Sequence, residues 1–292
     1  MTSMHAAMHI TGTTRLYGLV GDPVRTAKSP ALLNRVFIEQ GSDAVCVAFC
    51  VKADDLHPFV IGARAMRNLS GVLVTMPHKQ RMLDFVDELD PTARQVQALN
   101  VIRCEDDGRW LGAMFDGVGC VLAMRWEGGY PANKSVLLVG AGGAGSAIAF
   151  AVASTGPKKL TIFDVDERRA HDLVDAVAAA TGCKVSCGAP DPHGYEVVIN
   201  ATALGMRPGD PMPVNPDRLE PGTFVVDITT ATEPTPLCRA AQARGCRTQG
   251  GGAMHEAQAV YTLRFLGFDY RPNGRSASDL NLPSLPSEER TF

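Results

Sequence analysis

Long apolar runs are absent from this sequence: none approaches the about 20 residues needed to cross a bilayer. Its first residues, MTSMHAAMHITGTTR, carry neither a basic start nor an apolar signal core. No membrane association is expected, and the protein should stay in the cytosol. An excess of one charge is also missing, because 28 Lys and Arg face 31 Asp and Glu for a net charge of -3, scattered rather than blocked. A polyanionic backbone would find no basic face, so nucleic acid is not an expected partner. The eight cysteines at 46, 50, 104, 120, 183, 187, 238 and 246 include no C-x-x-C pair, which predicts reduced thiols in the core. His78 and His255 have no partners at metal-ligand spacing, and no metal is expected. There is no internal repeat.

What is present reads as a globular α/β protein. The chain is 45% hydrophobic and 20% charged, and its 292 residues exceed what one core usually organises, which predicts two domains. Up to about residue 115, apolar strands alternate with amphipathic helices: LYGLVG, SPALLNRVFIEQ, AVCVAFCV, ADDLHPFVIGARAM and GVLVTM. Alternation of this kind implies a mainly parallel sheet covered by helices. DGVGCVLAMRW, from Asp116 to Trp126, has helical spacing and would leave the first domain. A second run, SVLLVG, a helix, KLTIFD, EVVINA and FVVDI, has the pattern of a Rossmann-type dinucleotide-binding domain over 116–249. A late helix within 250–270, with Met254, Ala257, Val260, Tyr261 and Phe265 at helical intervals, suits packing on either domain. Residues 271–292, rich in Pro, Ser and Asn, are expected to be a flexible tail.

Gly140, Gly142 and Gly145 form G-x-G-x-x-G between a buried strand and a long apolar helix. In that context the first glycine permits the tight turn, the second lets a pyrophosphate approach the backbone, and the third lets helix and strand pack closely. The loop residues Ala141, Gly143 and Ala144 would share that contact, with the phosphates on the positive end of the helix dipole. Asp164 ends the next strand, nineteen positions after Gly145. Its carboxylate suits the two ribose hydroxyls and repels a 2'-phosphate, by about 1 to 2 kcal/mol at a partly solvated site, so NAD is expected over NADP. Arg168 and Arg169 follow, but Asp166 and Glu167 stand among them.

Val74-Thr75-Met76-Pro77-His78-Lys79 leaves a buried strand and sets a lysine just beyond a proline-fixed turn. In an open α/β sheet that end of the strand faces the ligand crevice. With ALNV around Asn100, FDGVG around Asp116, NATALGM over 200–206 and MHEAQA over 254–259, the ordered set resembles the shikimate/quinate dehydrogenase family over about residues 15 to 267. The resemblance implies an NAD(P)-dependent oxidation of a ring hydroxyl on a polyhydroxylated cyclohexane or cyclohexene carboxylate. Lys79 and Asp116 would be the proton-transfer pair, Thr75 and Asn100 would hold ring hydroxyls, and Gln258 would reach in from the late helix, which then packs on the first domain. Ser29 would grip the substrate carboxylate, although a serine before Pro30 also suits a helix N-cap. Thr202 and Met206 would border the nicotinamide. A base helps most where hydride loss acidifies the hydroxyl. Whether Asp116 only orients Lys79 or shares its proton stays open.

The pattern is broken on the substrate side alone. Ala27 replaces the first serine of S-x-S-P, Leu73 an asparagine, Met114 and Phe115 an Asn-Thr pair, and Thr230 a tyrosine. Quinate or a related ring acid is therefore as compatible as shikimate. A ring-acid sensor without turnover, or a dehydrogenase of another small hydroxy compound, are the competing readings; the intact Lys79 and Asp116 speak against the sensor. A monomer or homodimer is expected.

Overall fold

The structure is a computed structural model that describes residues 9–207, 209–230 and 234–272. The expected flexible tail lies, from residue 273 on, outside the described residues. Two compact units divide the chain: residues up to Met114 with those from Val260 onward, and Phe115–Ala259.

In the first unit the strands are β1 (Arg15–Gly21), β2 (Ala44–Cys50), β3 (Leu69–Val74), β4 (Glu88–Leu89), β5 (Val101–Cys104) and β6 (Trp110–Ala113), with helices α1 (Ser29–Glu39), α2 (Leu56–Arg64) and α3 (Pro91–Val96). They form one sheet in the order β2-β1-β3-β5-β6-β4, in which β5 alone runs against its neighbours β3 and β6. The central β1 and β3 are almost wholly buried, which is why both read as continuous apolar runs rather than alternating ones. The edge strand β2 is tied to α1 by Asn34, whose amide donates to Cys46 O at 2.9 Å and accepts from Cys46 N at 2.7 Å. One side chain thus satisfies both groups of an edge residue, as a strand would.

Residues 88–113 carried no strand or helix expectation, and they hold α3 and the β5–β6 hairpin. The cues were there: Asp90 accepts the Ala93 N–H at 2.7 Å and caps α3 ahead of Pro91, and Asp107-Gly108 makes the hairpin turn with Gly108 at φ 90°. Two other expectations are corrected. Lys28, not Ser29, is the N-cap of α1 and makes no side-chain capping bond, so Ser29 is the first helical residue. Cys50 is exposed at the end of β2 rather than in the core, whereas Cys46, Cys120, Cys238 and Cys246 are buried.

The second unit contains β7 (Ser135–Val139), β8 (Lys159–Phe163), β9 (Val185–Cys187), β10 (Val197–Asn200), β11 (Phe224–Asp227) and β12 (Arg247–Gln249). Its helices are α4 (Asp116–Trp126), α5 (Gly143–Ala153), α6 (Glu167–Thr181) and α7 (Pro236–Ala243), and α8 (Gly251–Phe265) starts here and ends in the first unit. The sheet is fully parallel in the order β12-β11-β10-β7-β8-β9, with the chain reversing direction of growth between β7 and β10. That is the doubly wound dinucleotide-binding order, and ligands sit outside the carboxyl ends of its strands at the reversal. Leu137, Val139, Val198, Val225 and Leu237 pack one face of it. No helix of the described residues is long and apolar enough to cross a membrane.

Candidate active site

In the first unit, three of the expected site residues, two for the substrate and one for proton transfer, converge at the carboxyl end of β3. The Val74 N–H donates to Asn100 O at 2.8 Å, the Thr75 N–H to Val20 O at 2.9 Å, and the Leu99 N–H to Lys79 O at 2.9 Å. Thr75, Lys79 and Asn100 therefore belong to two backbone segments bonded side by side, although 25 positions separate Thr75 from Asn100. Asn100 is buried, while Thr75 and Lys79 are half-buried. Ser29 opens α1 in the same unit.

A residue left without a role by the sequence reading fastens this turn. His78 is fully buried, and its Nε2 lies 2.7 Å from Val51 O. A carbonyl only accepts, so Nε2 carries the proton and ties the residue before Lys79 to the end of β2. Its Nδ1 is buried without a hydrogen-bond partner among the described residues. Val51 is 27 positions away, so nothing local could have announced this contact.

In the second unit each glycine has its own reason. Gly140 has φ 105°, and a Cβ there would lie 2.9 Å from Ala201 C and Thr202 Cγ2. At Gly145 a Cβ would stand 2.0 Å from Gly140 O, so a side chain would force α5 off the strand. At Gly142 a Cβ meets nothing within 4 Å, the open side where a pyrophosphate would approach the backbone at the start of α5. Ala141 is held from behind: its N–H donates to Asp164 Oδ2 at 2.7 Å. Asp164 Oδ1 accepts the Asp166 N–H at 2.9 Å, so this buried carboxylate shapes the glycine loop as well as ending the strand. Each of its oxygens keeps a second lone pair for a hydroxyl donor. Arg169 lies 4.0 Å from Asp164 and 3.6 Å from Asp166. The residues present therefore fit a dinucleotide: a glycine open on one side at the start of α5 and a carboxylate beyond the second strand.

Asp116 and Gln258 also meet in this unit, the Gln258 Nε2 donating to Asp116 Oδ1 at 3.0 Å. Two glycines make that possible. A Cβ on Gly117 would stand 2.1 Å from Ala147 O of α5, and one on Gly119 would stand 2.7 Å from Gln258 Cα of α8. The helix that begins with Asp116 is thereby packed backbone to backbone on both α5 and the helix bearing Gln258. Thr202 Oγ1 and N–H both donate to Asn200 Oδ1, and Met206 closes the same loop through its N–H to Ala203 O. Among the described residues no cluster of His, Cys, Asp and Glu suits a metal ion.

A parallel doubly wound sheet with this glycine loop, joined in one chain to a second α/β unit carrying a lysine at a strand end, defines a nicotinamide-dinucleotide-dependent oxidoreductase. The substrate-binding domain of shikimate dehydrogenase, as a family model, matches residues 19–102. The chain is 38% identical over 260 residues to the shikimate dehydrogenase (NADP(+)) of Rubrobacter xylanophilus, a match covering 87% of this chain and 91% of that protein. Among solved structures it is similar to shikimate 5-dehydrogenase of Listeria monocytogenes in complex with shikimate and NAD, at 32% identity and TM-score 0.81 over 91% of this chain and 96% of that one. Quinate dehydrogenase of Corynebacterium glutamicum in complex with NAD is similar at 28% identity and TM-score 0.79, covering 87% and 93%. The chain belongs to the shikimate dehydrogenase family.

Proposed function

We propose that this protein catalyses reversible hydride transfer between a nicotinamide dinucleotide and a ring hydroxyl of a polyhydroxylated cyclohexene or cyclohexane carboxylate, shikimate to 3-dehydroshikimate or the quinate counterpart. On this reading the first unit takes the ring acid and the second the dinucleotide. Thr75 and Asn100 hold ring hydroxyls, Ser29 grips the carboxylate, and Gln258 adds a further polar contact. The observation that carries the proposal is the convergence of Thr75, Lys79 and Asn100 at one strand end, in a chain that also holds an open glycine loop.

The dinucleotide, when bound, supplies the hydride acceptor. The work left to the protein is to hold the ring and move a proton. As the carbon loses its hydride the attached hydroxyl becomes acidic, and Lys79, with Asp116 as its partner in proton transfer, takes that proton or returns it in reduction. Asp116 is held by Gln258, so a residue assigned to the substrate also orients the carboxylate. Replacing Lys79 with Ala should lower turnover by about a hundredfold or more, the range for losing a positioned acid or base, and leave the fold intact by circular dichroism. Turnover is followed at the reduced-nicotinamide absorbance with shikimate and quinate in parallel. A near-wild-type rate in the variant would overturn the assignment of Lys79.

For the cofactor, the finer reading is NAD over NADP. What supports it is the buried carboxylate of Asp164 beyond β8. The curated relative of Rubrobacter is named for NADP(+), and similar solved structures hold NAD in the two above and NADP(+) in another. Asp164→Asn should narrow the NAD to NADP ratio of kcat/KM by roughly tenfold, the equivalent of about 1 to 2 kcal/mol of repulsion removed. An unchanged ratio would mean that the ribose is read elsewhere. Leu73 and Met114, both buried, stand on the substrate side where the family pattern has amides, which favours comparing several ring acids rather than one.

A further inference from the structure

The loop from Ala201 to Met206, given to the nicotinamide above, hangs from a buried carboxylate that no functional role has claimed. Asp227 ends β11 and is fully buried. Its Oδ1 accepts from Asn200 Nδ2 at 3.0 Å, from the Thr229 N–H at 3.1 Å and from Thr229 Oγ1 at 3.0 Å, and its Oδ2 accepts from Thr235 Oγ1 at 2.6 Å. A carboxylate only accepts, and that decides which way the Asn200 amide faces. Its nitrogen must point to Asp227, where it also donates to Leu204 O at 3.3 Å. Its oxygen is left to receive the Thr202 N–H at 3.0 Å and the Thr202 hydroxyl at 2.7 Å, and that hydroxyl in turn accepts the Leu204 N–H at 3.1 Å. The chain of bonds thus runs from β11 through Asn200 to both sides of the loop. Thr235 anchors the far end, because its Oγ1 also accepts the Cys238 N–H at 3.1 Å and caps α7.

We infer that Asp227 is a positioning residue for the dinucleotide: by fixing the Asn200 amide it sets the loop 201–206 for the nicotinamide half and leaves the adenosine half to the glycine loop and Asp164. The inference rests on the reading that this loop borders the nicotinamide. Removing the carboxylate frees the amide to turn over, and a fully satisfied buried network becomes one with unpaired groups.

The test compares binding of NADH, followed by its nicotinamide fluorescence, with binding of ADP-ribose, which lacks the nicotinamide. Wild type should hold NADH more tightly than ADP-ribose. Asp227→Ala should weaken NADH by roughly tenfold, as for a buried donor left unpaired, and leave ADP-ribose within about twofold. Asp227→Asn, which keeps one acceptor oxygen for Asn200 and Thr229, should regain most of the loss. Should Asp227→Ala not fold, Asn200→Ala cuts the same chain of bonds between Asp227 and the loop without touching a residue given to the nicotinamide, and the same split is expected. Equal losses for both ligands, or no recovery in Asp227→Asn, would reduce Asp227 to a structural residue and overturn the inference. If wild type itself binds the two ligands equally, the loop does not meet the nicotinamide, and that reading falls with the inference.

Discussion

At the scale of single residues, burial and partner type decide what each group can do. Burial pushes the thiols of Cys46 and Cys120 up to about 12, while Cys50 is exposed at the end of β2 with its Sγ 3.5 Å from Asp22 Oδ1. The thiolate is the reactive form, so iodoacetamide at neutral pH should modify Cys50 first and leave Cys46 and Cys120 intact in the folded protein. Peptide mass mapping reads the order, and early labelling of Cys120 would contradict the packing of α4. The position of Cys50 was not legible, because alternation along AVCVAFC is the same whichever face a strand turns outward or leaves at an edge. Asp164 was legible as the acid after the second strand, but not its bond to Ala141, which needs two strand ends to lie side by side.

At the scale of elements, the segment DGVGC does more than supply an aspartate. Its two glycines face different helices, and both close approaches are to backbone atoms that cannot turn aside: Ala147 O for Gly117 and Gln258 Cα for Gly119. Gly117→Ala would require α4 and α5 to separate by about 1 Å or more where they meet, since a Cβ would stand 2.1 Å from Ala147 O. Overpacking of this kind costs typically about 1 to 3 kcal/mol, and Gly117→Ala should lower the thermal midpoint by several degrees in a calorimetric scan. Turnover should fall as well, since Asp116 precedes the shifted residue. A variant with an unchanged midpoint would show that the helices do not meet as closely as drawn. A helix over 116–126 was readable from its spacing, and α4 spans those residues; which neighbours its glycines touch was not, because a glycine in sequence marks a close approach without naming the partner.

At the scale of the whole molecule, the first unit is discontinuous in sequence and is completed by the last turns of α8, from Val260, and the residues after it. Phe268 packs against Tyr17 and Phe37 with ring centroids 5.7 and 4.7 Å away, and Tyr17 and Phe37 stand 5.0 Å apart. Leu266 lies against Gly71 of β3, and Arg103 of β5 donates to Phe265 O at 3.0 Å. Phe268→Ala should therefore destabilise the first unit by about 3 to 5 kcal/mol, the usual result of emptying an aromatic site. Urea unfolding followed by hydrogen exchange would place the loss in β1, α1 and β3, and exchange rates unchanged in those elements would refute the cluster.

Local and periodic information reached far in this protein. Strand and helix alternation, the glycine fingerprint with its trailing acid, and the order of five short motifs sufficed for the α/β class, the glycine turn between strand and helix and the family, because each depends on residues within a few positions of one another or on their order along the chain. Tertiary structure alone decided the contacts that set those residues: His78 on Val51, Thr75 beside Asn100, Asp116 under Gln258, Asp227 beneath Asn200. Each joins positions 25 to 142 apart. A hydrogen bond carries no trace in sequence of its distant partner until a parallel sheet has brought the two strand ends to the same edge.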